Sequence, residues 1–213
     1  MPRKADPNVR RALTETAARL LAEEGPAAIS TRRLAREVGT STTAVYTHFG
    51  GKDDLVRAMC IEGFDRLARR MARVRRTDDP VTDLTGLARA YRRNALANPH
   101  LYAVMFGGRT MPDYAPTAED RGYGWPTLAH LADTAERCVA AGRFDPAPPY
   151  DLAVRLWATA HGLVSLELDG FFPVRAEADR HYEHMLLTCS VGLGDDLAAA
   201  EASVGSVVPA RPR

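Results

Sequence analysis

Cysteine is scarce in this chain. Cys60, Cys138 and Cys189 are the only three among 213 residues, far apart and each set in an apolar pattern. An odd, dispersed set excludes a disulfide framework and a paired-cysteine metal or redox motif, and suits buried, reduced thiols in the cytoplasm. Long apolar runs are missing as well. None approaches the ~20 residues of a membrane span. The first residues, MPRKADPNVRR, carry charge with no apolar core, so no secretory leader is expected. Alternation with period two is absent, which argues against strands. There is no Gly-rich phosphate loop and no nucleophile elbow. His181 and His184 stand three apart beside Glu183, but spacing places no third metal ligand. No catalytic residue, cofactor or metal is therefore assigned, and the chain reads as no enzyme.

Strong net charge is also lacking, yet the formal +1 hides an asymmetry. Residues 1–76 hold 16 Lys/Arg against 9 Asp/Glu, and residues 77–213 hold 12 against 18. A basic start on an acidic remainder points to a polyanionic partner at one end, with affinity for phosphate but no sequence readout from charge alone. Arg3 and Lys4, in a short arm over residues 1–8, are available for the same purpose.

The most informative stretch is ISTRRLAREVGTSTTAVYTHFGGKDDL, residues 29–55. Ser30 or Thr31 can cap a helix over 31–38 that puts Leu34, Ala35 and Val38 on one face. Gly39 supplies a left-handed stop. Ser41 suits the N-cap of a second helix over 42–49, with Val45 and Phe49 turned inward and Gly50-Gly51 closing it. Asp53 and Asp54 favour the first turn of a third helix. Two short helices about a glycine turn, the second with hydroxylated residues outward, form a helix-turn-helix pattern. Its exposed set would be Ser41, Thr42, Thr43, Ala44, Thr47 and His48. Threonine methyls suit thymine methyls, and threonine hydroxyls bond either class of base. Thr31 and Arg32 begin the first helix, where backbone N–H groups suit phosphate oxygens and Arg32 can reach a guanine. Tyr46 can serve DNA or pack between helices.

Thr31-Arg32, Leu34-Ala35, Gly39-x-Ser41, Val45-Tyr46-x-His48-Phe49 and Lys52-x-x-Leu55 together resemble the DNA-binding signature of TetR-family (tetracycline-repressor-like) transcription regulators. Thr43 and Gly50-Gly51 depart from that pattern, which bears on the operator read and not on the fold. The resemblance implies that Thr42, Thr43 and Ala44 face bases while Tyr46, His48 and Lys52 hold phosphates. A segment near WATAHGLVSLEL also resembles the Trp-His-Gly stretch of one group of TetR-like C-terminal domains.

Along the rest of the chain, helical periodicity covers residues 8–24, 52–75, 81–97, 100–106, 125–141, 150–168 and 175 into the 190s. Residues 107–123 read as an irregular loop with one helical turn. The expectation is an all-α protein of about nine helices. A helix-turn-helix domain would occupy 1–54, a ligand-binding and dimerisation domain 55–200, and a disordered Pro/Ala/Ser tail 201–213.

Each DNA-binding copy covers few base pairs, so tight binding calls for a symmetric homodimer on a near-palindromic operator. Two faces of the helix over 150–168 are apolar. By the resemblance, this helix and the next pair with their copies. Leu152, Leu156, Thr159, Leu163 and Leu166 are candidates for that seam, joined by Tyr182, Met185, Leu186 and Cys189; which face of the first helix takes part is open. The resemblance further implies a small-molecule effector, and Tyr91, Tyr102, Met105, Phe106, Trp125, Trp157 and His161 are candidates for its largely apolar site, or else plain core. The resulting expectation is a cytoplasmic repressor that binds operator DNA, released by its effector. The alternative is a DNA-binding protein whose C-terminal part takes a protein partner or a metal instead.

Overall fold

The computed structural model describes residues 6–106 and 117–205. Among these there are eleven α-helices, one 3-10 turn and no strand. The fold is all-α, as expected, with two helices more than the periodicity suggests. None of the described helices is long and apolar enough to cross a membrane. The chain packs as two compact units. One comprises the chain up to Arg66 with Ala97–Gly124, and the other Leu67–Leu96 with the chain from Trp125 onward.

In the first unit, α1 (Pro7–Glu24) starts at Asp6, whose side chain accepts from Asn8 N–H at 2.9 Å, and stops at Gly25 with φ +82°. Helices α2 (Thr31–Val38) and α3 (Thr42–His48) follow, then α4 from Lys52. Leu13, Leu20, Leu34, Val45, Phe49, Leu55 and Met59 form one core with Leu101 and Val104 of α6 (Pro99–Phe106). Helix α7 (Ala118–Gly122) is only five residues long, so local propensity alone would not hold it. A reciprocal capping box between Thr117 and Asp120 supports it, and Arg57 Nε donates to Asp120 Oδ1 at 2.7 Å. Burial raises the Cys60 thiol to about 11, keeping it protonated at neutral pH.

Helix α4 ends at Met71, four residues before the expected stop. Its last turn tightens, with Arg73 N–H donating to Arg70 O and Val74 N–H to Met71 O. Val74 then lies close to Gly86, where an added Cβ would meet its Cγ1 at 2.8 Å. That tertiary contact overrides the helical pattern of the arginine-rich stretch.

The second unit contains most of α5 (Pro80–Ala97), with α8 (Trp125–Ala140), α9 (Pro149–Leu168), α10 (Arg175–Gly192) and α11 (Leu197–Gly205). Helix α5 is buried along most of its length, including its polar residues Asp83, Arg89, Arg92 and Asn94. Buried charges must be paired, and these are. Arg92 donates to both oxygens of Glu167 at 2.6 and 2.7 Å and to Asp179 at 2.6 Å. Arg89 pairs with Glu183 and also donates to Val204 O at 2.9 Å. Arg137 donates to Asp83 at 2.6 Å.

Helix α11 takes in residues 201–205 of the expected tail; residues 206–213 lie outside the described set, as do Arg3 and Lys4. Asp196 accepts from Ala199 N–H at 3.0 Å at its start. Ser203 donates to Asp79 at 2.6 Å, and Arg143 holds both Asp195 and Asp79. Polar contacts thus anchor an alanine-rich segment that offers little apolar volume.

Candidate nucleic-acid interface

The helix-turn-helix is built by local rules. Ser30 Oγ accepts from Arg33 N–H at 3.2 Å and opens α2. Gly39 closes it at φ +72°, a conformation that L residues with a Cβ rarely adopt. Two residues on, Ser41 Oγ accepts from Ala44 N–H at 3.1 Å and opens α3. The end of α3 differs from expectation. Phe49 leaves the helix in an extended conformation, φ −142°, and neither Gly50 nor Gly51 has a positive φ. Burial of the Phe49 ring, 4% exposed beside Val45 at 2%, makes the extended exit favourable.

Anchored by those two side chains, α3 turns its other face outward. Ser41, Thr42, Thr43, Tyr46 and Thr47 are exposed, with Ala44 and His48 half-buried. Tyr46 is 62% exposed, so it does not serve as packing between helices. Thr47 donates its hydroxyl to Thr43 O at 2.9 Å, leaving its methyl as the group with most to offer a base edge. Thr31 is half-buried at the start of α2, and Arg32 and Lys52 are exposed.

The arginines of this unit sort into two classes. Arg33 pairs in bidentate fashion with Glu24 at 2.6 Å and reaches Glu37 at 3.2 Å; Arg19 pairs with Glu23 and Glu37. Hydrogen bonds from Arg33 hold both Glu24 and Glu37 below their ordinary carboxylate range. By contrast, Arg10, Arg32, Arg36 and Lys52 have no carboxylate within ion-pair distance among the described residues. Arg10 and Arg36 carry no distinguishing signal in the sequence, because nothing in the one-dimensional pattern separates paired cations from unpaired ones.

The expected effector residues are joined only in part. Trp157 Nε1 donates to Tyr91 Oη at 3.3 Å, and Tyr91 Oη lies 2.9 Å from His161 Nδ1. Tyr102 packs edge-on to Phe106 at 4.9 Å, and Phe106 to Phe64 at 5.8 Å. Met105 lies against Gly63. Trp125 is 54% exposed and packs, tilted by 33°, against Tyr150 with ring centroids 5.6 Å apart. Glu183, considered beside His181 and His184 as a metal ligand, is held by Arg89. Among the described residues, no group of three or more His, Cys, Asp or Glu is placed to hold a metal.

Burial lowers the His161 pKa below its usual 6.5. In the window between that lowered value and 6.5 the unfolded chain binds a proton that the folded chain does not. The stability this group contributes is therefore complete above the unfolded value and declines as pH falls through the window. Urea midpoints at about pH 7.5 and about pH 5.5 should separate more for the wild type than for His161→Asn. Equal separations would mean that His161 is not the group responsible.

The expected dimer residues also divide. Leu152 and Tyr182, each 1% exposed, and Leu186, 7% exposed, belong to the protomer's own core, where Tyr182 donates to Ala88 O at 2.7 Å. Leu156, Leu163, Met185 and Cys189 are half-buried, whereas Thr159 and Leu166 are exposed. Phe171, Val174 and Val191 are exposed as well, and lie outside the expected set.

Helices α1 to α3, with α3 exposed and hydroxyl-rich beside cations that have no ion-pair partner among the described residues, define a helix-turn-helix DNA-binding protein. Residues 13–59 match the model of bacterial regulatory proteins of the TetR family, and residues 84–189 match a tetracycline-repressor-like C-terminal domain. The chain belongs to the TetR family of transcription regulators and is not an enzyme. It is 27% identical to the uncharacterized HTH-type transcriptional regulator Rv0681 of Mycobacterium tuberculosis, over 86% of this chain and 81% of that one. The regulator Rv1816 of the same organism is 28% identical, over 66% of this chain and 61% of its own length. A Rhodococcus sp. RHA1 protein of unknown function superposes with TM-score 0.74 at 27% identity, covering 92% of this chain and 100% of that one. PfmR, a TetR-family transcriptional regulator from Thermus thermophilus, shares the fold with TM-score 0.67 at 22% identity, over 82% of this chain and 96% of its own.

Proposed function

We propose that this regulator represses transcription by binding a near-palindromic operator as a homodimer, and that a small, largely apolar effector releases it. The observation that carries the DNA reading is α3 itself, fixed by buried Val45 and Phe49 while Thr42, Thr43 and Tyr46 are exposed. In this reading Thr42, Thr43 and Ala44 meet base edges, and Thr31, Arg32, Ser41, Tyr46, His48 and Lys52 fix the backbone. Residues 1–54 would supply DNA contact, and 55–200 effector binding and dimerisation.

Exposed Leu166, Phe171, Val174 and Val191 support the dimer, since exposed apolar groups carried by α9, α10 and the turn between them favour a partner surface. Tyr91, Trp157 and His161 support the effector site, because they bring aromatic surface and hydrogen-bonding groups together. An effector acts only if it binds the DNA-incompetent state more tightly.

Binding to the DNA that flanks this protein's own gene tests the reading. Tight, site-specific binding is expected, weakened about tenfold or more by Thr43→Ala and by Tyr46→Ala, the scale of one lost base or backbone contact. Equal, weak binding to every duplex by all three proteins would overturn it.

A further inference from the structure

Arg10 lies in α1, outside the helix-turn-helix, yet its guanidinium carbon sits 5.4 Å from the centroid of the Phe49 ring. Phe49 is the residue on which α3 ends, and the His48 ring lies 6.1 Å from it. A cation over an aromatic face is oriented without consuming its N–H groups, which radiate from the edge of the guanidinium plane. Arg10 makes no ion pair among the described residues, whereas Arg33 on α2 is bound to two carboxylates. One cation near α3 is thus neutralised within the protein, and another is held in place with its charge uncompensated.

We infer that Arg10 is a DNA-backbone contact: Phe49 positions it at the C-terminal end of the recognition helix, where its fork binds a phosphate oxygen pair beside the phosphates held by His48 and Lys52. The planar fork suits phosphate, and a contact from α1 would fix how far α3 rotates in the groove. The inference rests on the DNA-binding reading and extends it to a helix that reads no bases.

The salt dependence of binding to a random-sequence duplex of about 30 base pairs tests this without an identified operator. Each neutralised phosphate contributes about 0.9 to the slope of log affinity against log salt. Arg10→Gln should lower the slope by about 0.9. Arg10→Lys, which keeps the charge, and Arg33→Gln, which removes an internally paired one, should leave it near the wild-type value. Thermal unfolding of each variant shows whether α1 remains intact. An unchanged slope in a folded Arg10→Gln protein, or an equal loss in Arg33→Gln, overturns the inference while leaving the regulator reading in place. A wild-type protein with no salt-dependent binding overturns both.

Discussion

Replacing Arg92 by methionine is expected to lower the unfolding free energy by about 3–5 kcal/mol, the range seen when a buried ion pair loses one partner. Arg92 ties three helices, reaching from α5 to Glu167 on α9 and Asp179 on α10. Its guanidinium also lies 5.1 Å from the centroid of the Tyr182 ring. Glu167 is as deeply placed as Arg92, both side chains being 11% exposed, whereas Asp179 is 51% exposed and can return to water. The cost therefore falls on Glu167. Its carboxylate must stay charged in an apolar setting, take up a proton, or break the packing that surrounds it. Arg92→Met/Glu167→Met should recover most of the loss, since two apolar side chains can occupy the same space. Urea unfolding of the two variants settles the matter. A single variant within about 1 kcal/mol of wild type, or a double variant no better than the single, would sink the account.

The second large effect concerns assembly. Leu166→Arg puts a charge at a position 41% exposed in the protomer, so the folded protomer can accept it. In the proposed seam the same charge would be buried against a second copy, at a cost that a dimer cannot absorb without a counter-charge. Sedimentation should then report monomers at micromolar concentration, with far-ultraviolet circular dichroism unchanged. Operator affinity should fall by about 10²–10⁴-fold, the advantage lost when two linked sites become independent. A variant that stays dimeric would place the seam elsewhere. A monomer that still binds operator tightly would refute the need for two copies.

Much of this protein is legible because local rules and tertiary packing agree in its N-terminal part. Ser30, Gly39 and Ser41 perform the capping and turning roles that their types imply. Phe49 shows where agreement ends: the spacing places its side chain inward correctly, but the ring reaches the core from an extended residue. In α9 and α10, periodicity reveals apolar faces without saying which one the protomer covers. Leu152, Tyr182 and Leu186 therefore look, in one dimension, like the partly exposed residues beside them. Helix α11 carries its own start at Asp196, yet its alanines and its end near a Pro-rich stretch mask it. The pairing of Arg33 with Glu24 joins two helices, so no pattern within either helix can announce it.

The core of the DNA-reading half is closed by residues far along the chain. Leu101 and Val104 share it with Leu13, Leu34, Val45 and Met59, and Cys60 Sγ donates to Val104 O at 3.9 Å. Recombination that joins this half to a foreign partner by a single crossover after α4 would strip away that closure and uncover apolar surface on its first unit. The heritable module is thus two stretches of gene rather than one. A viable hybrid has to inherit residues 97–124 with the reading helices, or meet a new helix that fills the same space.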